Sequence, residues 1–121
     1  MKLEKAVQYI LEKKGAKESY PFDMETKVFK VGGKMFALAS VHEADRESLN
    51  LKSIPEVSER LRQTHEEIIP GYHMNKRHWN TVYIDGNLTD EFIFELIDIS
   101  YELVFEKLSG IQREAVLRED E

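Results

Sequence analysis

Residues 26–39, TKVFKVGGKMFALA, decide the fold of this chain. Two runs rich in β-branched and apolar residues flank a Gly32-Gly33 pair. A two-residue type I′ turn needs positive φ at both central positions, and glycine adopts that conformation without steric penalty. The stretch therefore predicts a tight β-hairpin. Alternation along its first strand predicts one buried face and one face that presents Lys27 or Lys30.

Outward from the hairpin, hydrophobic spacing and capping residues predict the other elements. They are a helix over residues 2–14, a strand over 48–52, a helix capped by Ser53 that ends between residues 63 and 67, a strand over 79–84, and a helix from the Thr89 cap to Gly110. The order α-β-β-β-α-β-α predicts an α+β two-layer sandwich, with an antiparallel sheet and helices packed on one face. We expect a single domain over residues 1–110 and a frayed, charged tail over 111–121.

Charge and composition restrict the classes of function. The chain has 121 residues, of which 17 are basic and 23 acidic, so its formal net charge is −6, and it has no cysteine. Disulfides, thiolate metal sites and cysteine nucleophiles are therefore excluded. A negative net charge argues against a surface that coats nucleic acid all over, but it permits one local basic patch.

The sequence also predicts where the protein resides. The first residues lack the apolar core of a signal peptide, and no stretch approaches the roughly 20 apolar residues of a membrane span. We expect a cytoplasmic protein without a membrane partner.

Residues 71–81, GYHMNKRHWNT, are the least typical segment of the chain. They hold the single tryptophan, two of the four histidines and an adjacent Lys-Arg pair, without a carboxylate. One interpretation is a surface that binds an anion or a small ligand by charge, amide donors and aromatic stacking. Its candidate residues are Tyr72, His73, Asn75, Arg77, His78 and Trp79. The alternative is a structural turn, in which Asn75 caps the turn, Trp79 anchors the core, and the side chains of Lys76 and Arg77 are solvated.

The sequence gives weak support for a metal site, a phosphate-binding loop or a catalytic serine. His73 and His78 are five residues apart, which matches neither the helical nor the strand spacing of a metal-binding pair. Gly32-Gly33-Lys34 lacks the first glycine and the hydroxyl residue of a phosphate-binding loop. No serine has the context of a catalytic elbow. We expect no metal, no cofactor and no enzyme activity.

Several of these segments resemble the MmcQ/YjbR family of small bacterial proteins. The resemblance rests on Pro21-Phe22, residues 28–37, Leu51-Lys52, residues 70–82 and the stretch 96–104 of the last helix. It spans about residues 1–109 and implies a fold similar to CyaY and type III secretion chaperones. It also implies DNA binding through a double wing of β-hairpins, without enzyme activity.

On this basis we expect a binding protein whose partner is DNA, held weakly and in a salt-dependent way. The candidate nucleic-acid-binding residues are Lys30, Lys34, Asn75, Lys76 and Arg77. Lys27 and Lys52 would extend this set if the sheet gathers the cations on one surface. The alternatives are a chaperone-like module with a protein partner, suggested by the very apolar last helix, or a small anion-binding domain. The chain is expected to be a monomer or a homodimer.

Overall fold

The protein is described here by a computed structural model that covers residues 1–22, 25–42, 46–71 and 74–119. Within those ranges the chain forms four helices and six strands. In chain order they are α1 (Leu3–Leu11), β1 (Lys17–Ser19), β2 (Lys27–Val31), β3 (Lys34–His42), β4 (Arg46–Lys52), α2 (Pro55–Thr64), β5 (Ile68–Pro70), β6 (Trp79–Tyr83), α3 (Asp90–Glu106) and α4 (Gly110–Arg118). None of the described helices combines the length and apolarity that a membrane crossing requires.

The six strands form one sheet in the order β1-β2-β3-β4-β6-β5, and every neighbouring pair is antiparallel. The hairpin of β2 and β3 turns at Gly32 (φ 57°) and Gly33 (φ 82°), which confirms the predicted turn. Val31 pairs with Lys34 across it. The register shifts between Phe29 and Lys30, so the hairpin contains an irregularity that the sequence did not predict.

The helices pack on one face of the sheet and enclose the main core. Its fully buried members include Ile10 of α1, Phe29, Phe36, Leu49 and Val82 of the sheet, and Ile93 and Ile97 of α3. The buried residues of α1 and α3 have the spacing of one apolar stripe, so burial of these two stripes holds the layers together. The predicted α+β class is therefore confirmed.

The opposite face of the sheet is also buried. Val28, Leu38 and Trp79 form a second cluster there, with Met35 and Met74 packed against it. Val28 and Leu38 are cross-strand partners, and so are Asn50 and Thr81 in the same row. Since Val28 and Phe29 are both fully buried on opposite faces, β2 does not have the one exposed face that the alternation predicted.

Two short edge strands were not predicted. β1 consists of Lys17, Glu18 and Ser19, whose side chains carry no strand signal, and it forms only because β2 offers a pairing edge. β5 ends in Pro70, which has no N–H to donate. Such a residue fits an edge strand, and β5 lies at the outer edge beside β6.

Two predicted helix boundaries are wrong. Ser53 does not cap α2, which begins at Pro55 after Ile54 without a side-chain cap. Gly110 does not end α3, which stops at Glu106; Gly110 instead opens α4. By contrast, Thr89 caps α3 as predicted, since its Oγ1 accepts a hydrogen bond from the Phe92 N–H at 3.1 Å.

The predicted frayed tail is also wrong for residues 111–118. They belong to α4, whose first turn has a reciprocal capping box between Ser109 and Gln112. Val116 is buried, and it packs so close to Gly15 that a Cβ there would lie 2.8 Å from Val116 Cγ1. The Ser-Gly-Ile-Gln sequence is a capping-box pattern that could have predicted this helix.

Candidate functional site

One end of the sheet brings two chain reversals together. β3 runs away from the Gly32-Gly33 turn, β4 returns to it and ends at Lys52, and Lys52 pairs with Trp79 at the start of β6. β5 is antiparallel to β6 and ends at the same level, where Pro70 pairs with Asn80. The β2–β3 turn and the β5–β6 connection therefore lie at the same end, which we call the hairpin end of the sheet.

Residues 74–78, which we call the basic turn, are shaped by Asn75. Its Oδ1 accepts a hydrogen bond from the Arg77 N–H at 3.0 Å. Its carbonyl oxygen accepts from the N–H groups of His78 (3.2 Å) and Trp79 (2.9 Å). An asparagine whose side chain bonds to the backbone two residues ahead is a typical turn former. This is the role that the structural interpretation predicts for Asn75.

Trp79 anchors the basic turn to the sheet. Its side chain is only 7% exposed and packs in the cluster with Val28 and Leu38. The Gly71 N–H donates to the Trp79 carbonyl at 2.8 Å, and a Cβ on Gly71 would lie 2.8 Å from Trp79 Cβ. Only glycine permits this approach of the two strands. Trp79 therefore serves the core, which leaves little of its ring for stacking on a ligand.

Arg62 of α2 stabilises the basic turn by hydrogen bonds. No sequence pattern had indicated this residue. Its Nε donates to Asn80 Oδ1 at 2.6 Å. Its Nη2 donates to the carbonyl oxygens of Lys76 and, at 3.3 Å, of Trp79. One guanidinium thus satisfies three acceptors on a single chain segment, as its planar set of donors allows.

A second set of hydrogen bonds joins the start of α2 to His78. The His78 carbonyl accepts from the Ser53 N–H at 2.8 Å and from Ser58 Oγ at 3.3 Å. The hydroxyl oxygens of Ser53 and Ser58 are themselves 2.7 Å apart. Ser53 therefore stabilises the junction of α2 with the basic turn, rather than capping the helix.

The side chains of Lys76 and Arg77 are exposed beside an open cleft of about 470 Å³. The cleft is lined by Pro55, Glu56, Glu59, Arg62, Lys76 and Arg77. It thus has cations on the side of the basic turn and carboxylates on the side of α2. Among the described residues, neither Lys76 nor Arg77 makes an ion pair.

Lys34 and Lys107 lie within electrostatic range of Lys52 at the hairpin end, and we call these three cations the lysine cluster. The pKa of Lys52 lies below the ordinary value for lysine, first because the side chain is partly buried and then because Lys107 and Lys34 are positively charged nearby. Lys107 is the residue that follows α3, and it carried no signal in the sequence.

The other predicted residues are placed as follows. Lys30 is half-buried near the hairpin end, paired with Lys17 and Met35. Lys27 lies at the far end of β2, and its Nζ is 3.7 Å from a Glu18 carboxylate oxygen.

Tyr72 and His73 lie outside the described residues. His78 is half-buried, Asn75 and Arg77 are exposed and Trp79 is buried. Arg77 lines the cleft beside the basic turn, whereas Asn75, His78 and Trp79 are not among its lining residues. Within the described ranges, no group of three or more His, Asp or Glu side chains could hold a metal.

Comparison with known proteins identifies the family. The model of the YjbR family matches residues 11–103. Over 118 residues the chain is 36% identical to the uncharacterised protein YjbR of Escherichia coli strain K12, covering 98% of this chain and 99% of that protein. It is also 39% identical over 106 residues to the uncharacterised protein YbdF of Escherichia coli O157:H7, covering 88% of this chain and 86% of YbdF.

Solved structures agree with the sequence comparison. The crystal structure of Deinococcus radiodurans protein DR2400, which has a DUF419 domain, matches with a TM-score of 0.86 and 39% identity, covering 98% of this chain and 89% of that one. The crystal structure of a Pseudomonas syringae protein matches with a TM-score of 0.75 and 30% identity, covering 86% and 99%. Both the sequence and the architecture therefore place this chain in the YjbR family.

Proposed function

We propose that this protein binds DNA through the phosphate backbone, with the two chain reversals at the hairpin end of the sheet as the contacting wings. Lys30 and Lys34 belong to the first reversal, and Lys76 and Arg77 to the second. The observation that carries the proposal is the antiparallel topology, which brings cations distant in sequence to one end of a chain of net charge −6.

The availability of these cations supports the proposal. Lys34, Lys76 and Arg77 are exposed, and among the described residues none of the three makes an ion pair. Lysine and arginine in this state can neutralise phosphates and release the counterions condensed on DNA. Arg77 can in addition donate two hydrogen bonds to one phosphate.

The rigidity of the second wing also supports the proposal. The Asn75 side chain and the Arg62 guanidinium fix the backbone from residue 75 to residue 80 before any ligand binds. A pre-organised turn loses little conformational entropy on association. Glu56 and Glu59 lie across the cleft, and their negative charge opposes phosphate there. We therefore expect weak, salt-dependent binding with little sequence preference.

Fluorescence anisotropy with a short labelled DNA duplex at low salt tests the proposal. We expect binding that weakens linearly with the logarithm of salt concentration. The double variant Lys76→Ala, Arg77→Ala should reduce that slope by about 2, because each cation neutralises about one phosphate.

Lys2→Ala is the matched control. Lys2 is exposed at the opposite end of the sheet, since the adjacent Met1 amino group donates to the Ile84 carbonyl beyond β6 at 2.9 Å. Its loss should leave affinity and slope unchanged. Absence of binding at about 100 μM protein, the weak end of non-specific association, would refute the proposal. An equal loss in the control variant would show that only total charge matters, which also contradicts it.

A further inference from the structure

We propose that the lysine cluster, Lys34, Lys52 and Lys107, is an anion site that binds a phosphate group. The phosphate would be carried either by a nucleic-acid backbone or by a free polyphosphate. The site is built from three separate elements of the fold, and it does not include the basic turn. It is therefore independent of whether Lys76 and Arg77 contact DNA.

A contact of the hairpin turn brings Lys34 to the end of α3. Gly32, in the hairpin turn, packs so closely on Leu108 that a Cβ would lie 2.7 Å from Leu108 Cδ1. Leu108 is itself buried in the main core. Lys34 follows the turn directly and Lys107 precedes Leu108, so a packed contact between their neighbours holds the two lysines at one place.

The backbone of Lys52 is attached to the same helix. The Lys52 N–H donates to Ser100 Oγ at 2.8 Å, and Ser100 Oγ donates to the carbonyl oxygen of Phe36. Ser100 is fully buried on the sheet-facing side of α3. Lys107 follows it by two helical turns, about 10 Å along the axis on the same side. The end of β4 is thus tied to the helix face that leads to Lys107.

Electrostatics add to these contacts. Lys107 and Lys34 both disfavour the charged form of Lys52, so each of the two charges lies within electrostatic range of Lys52. No carboxylate among the described residues forms an ion pair with any of them. The carboxyl end of a helix accounts for a cation at Lys107. It does not account for two more cations beside it, whose repulsion a bound anion would relieve.

Phosphate matches the chemistry of the cluster. Each lysine ammonium carries three donors and a full charge on a flexible stem, so three of them can surround a tetrahedral oxyanion. A group with more than one negative charge gains most from such a site, because charge-assisted hydrogen bonds are roughly twice as strong as neutral ones.

Isothermal titration calorimetry of the full chain with sodium tripolyphosphate tests the inference. We expect binding that weakens as salt is added and that falls by about tenfold or more in the triple variant Lys34→Gln, Lys52→Gln, Lys107→Gln. Lys2→Gln serves as the control, because Lys2 is exposed at the opposite end of the sheet, and its affinity for tripolyphosphate should stay within about twofold of that of the parent. Circular dichroism confirms that each variant is folded.

A second measurement does not depend on a variant that folds. The NMR titration of Lys52 in the parent protein should show its pKa rising when tripolyphosphate is present, because an anion favours the charged ammonium. No heat of binding up to about 1 mM tripolyphosphate, or equal affinity in parent and triple variant, would overturn the inference.

A labelled DNA duplex is the second arm of the experiment. If tripolyphosphate binds and the duplex does not, the anion site is supported, its ligand is a free polyphosphate, and the proposed DNA function fails. If the duplex binds and the triple variant holds both ligands as tightly as the parent does, the anion site fails, and the proposed contact of Lys34 with DNA fails with it, so that DNA binding rests on the basic turn. A loss of both ligands in the triple variant assigns the cluster to the nucleic-acid backbone.

Discussion

Arg62 of α2 donates from Nε to Asn80 Oδ1 of β6 at 2.6 Å, and this hydrogen bond couples a helix to the basic turn. Asn80 is 2% exposed, and its Nδ2 donates to the Ser58 carbonyl at 3.3 Å. The amide therefore bridges the guanidinium and the backbone of the same helix. The position of Lys76 and Arg77 at the hairpin end depends on this bridge, because the other acceptors of Arg62 are carbonyls of residues 76 and 79.

We expect Arg62→Met to lower the free energy of unfolding by about 2 kcal/mol. The substitution leaves the buried Asn80 oxygen and the two carbonyls without their charged donor, and hydrogen bonds to charged groups contribute about 1.5–3 kcal/mol. Urea denaturation measures the change. Arg60→Met on the exposed side of the same helix is the control, and it should change stability by less than about 0.5 kcal/mol. Equal effects of the two substitutions would contradict the bridge.

Gly71→Ala should destabilise the protein by about 1–3 kcal/mol, the usual cost of overpacking. The added Cβ would lie 2.8 Å from both Cβ and the carbonyl oxygen of Trp79, and backbone atoms cannot move aside easily. Thermal unfolding measures the loss. Gly110→Ala is the matched control, because a Cβ there meets nothing within 4 Å and the residue is helical. The control should be neutral or slightly stabilising; a loss there like that at Gly71 would exclude the steric explanation.

Ser100→Ala and Ser48→Ala should differ in sign, although both serines are fully buried. Ser100 joins the Lys52 N–H to the Phe36 carbonyl, so its removal leaves two backbone groups unpaired and should cost about 2 kcal/mol. Ser48 Oγ has no hydrogen-bond partner among the described residues, so its loss removes a desolvated hydroxyl. We expect Ser48→Ala to be neutral or stabilising in urea denaturation. A larger cost at position 48 than at position 100 would contradict both assignments.

The Asp85 carboxyl should titrate below its ordinary pKa of 3.8. The hydrogen bonds from Arg46 Nε (2.9 Å) and Nη2 (2.8 Å) are the main cause, and the positive charge of Arg46 adds to them. Since the folded-state pKa is depressed, the pair stabilises the fold above the unfolded pKa, and this contribution is lost as pH falls through the folded pKa. NMR of the carboxyl carbon measures the pKa directly.

Arg46→Gln should return the pKa of Asp85 toward the ordinary value and flatten the acid-side dependence of the urea midpoint. The matched control is Lys5→Gln, because Lys5 lowers the pKa of a different carboxyl, Asp90, through a hydrogen bond of 2.6 Å. It should leave Asp85 unchanged. An Asp85 pKa that is the same in the parent and in Arg46→Gln would show that the ion pair has no influence in solution.

The elements that local chemistry controls were predictable. The Gly32-Gly33 pair requires positive φ, so the hairpin followed from the sequence, and the apolar spacing of α1 and the Thr89 cap of α3 predicted those helices. The capping box of α4 could also be recognised in the sequence, but the charged composition of residues 111–121 led to the prediction of a frayed tail. β1 and β5 could not be predicted, because three residues without a strand pattern become a strand only when a neighbouring edge pairs with them.

The candidate site also contains some residues that the sequence predicted and others that it did not. The composition of residues 71–81 marked Lys76 and Arg77 as cations that could bind an anion. The predicted hairpin and the family resemblance added Lys30 and Lys34. Nothing in the sequence marked Arg62 or Lys107, because each acts on residues that are distant along the chain. Trp79 satisfied the pattern of a stacking residue, yet burial against Val28 assigns it to the core.

By itself the sequence determined the fold class and the central hairpin, since turn geometry and hydrophobic periodicity operate over a few residues. It also determined that any positive surface must be local, since the net charge is −6. Only the tertiary structure decided that the β2–β3 turn, the end of β4 and the basic turn share one end of the sheet. Strand order arises from contacts between residues far apart in sequence, and those contacts decide which charges become neighbours.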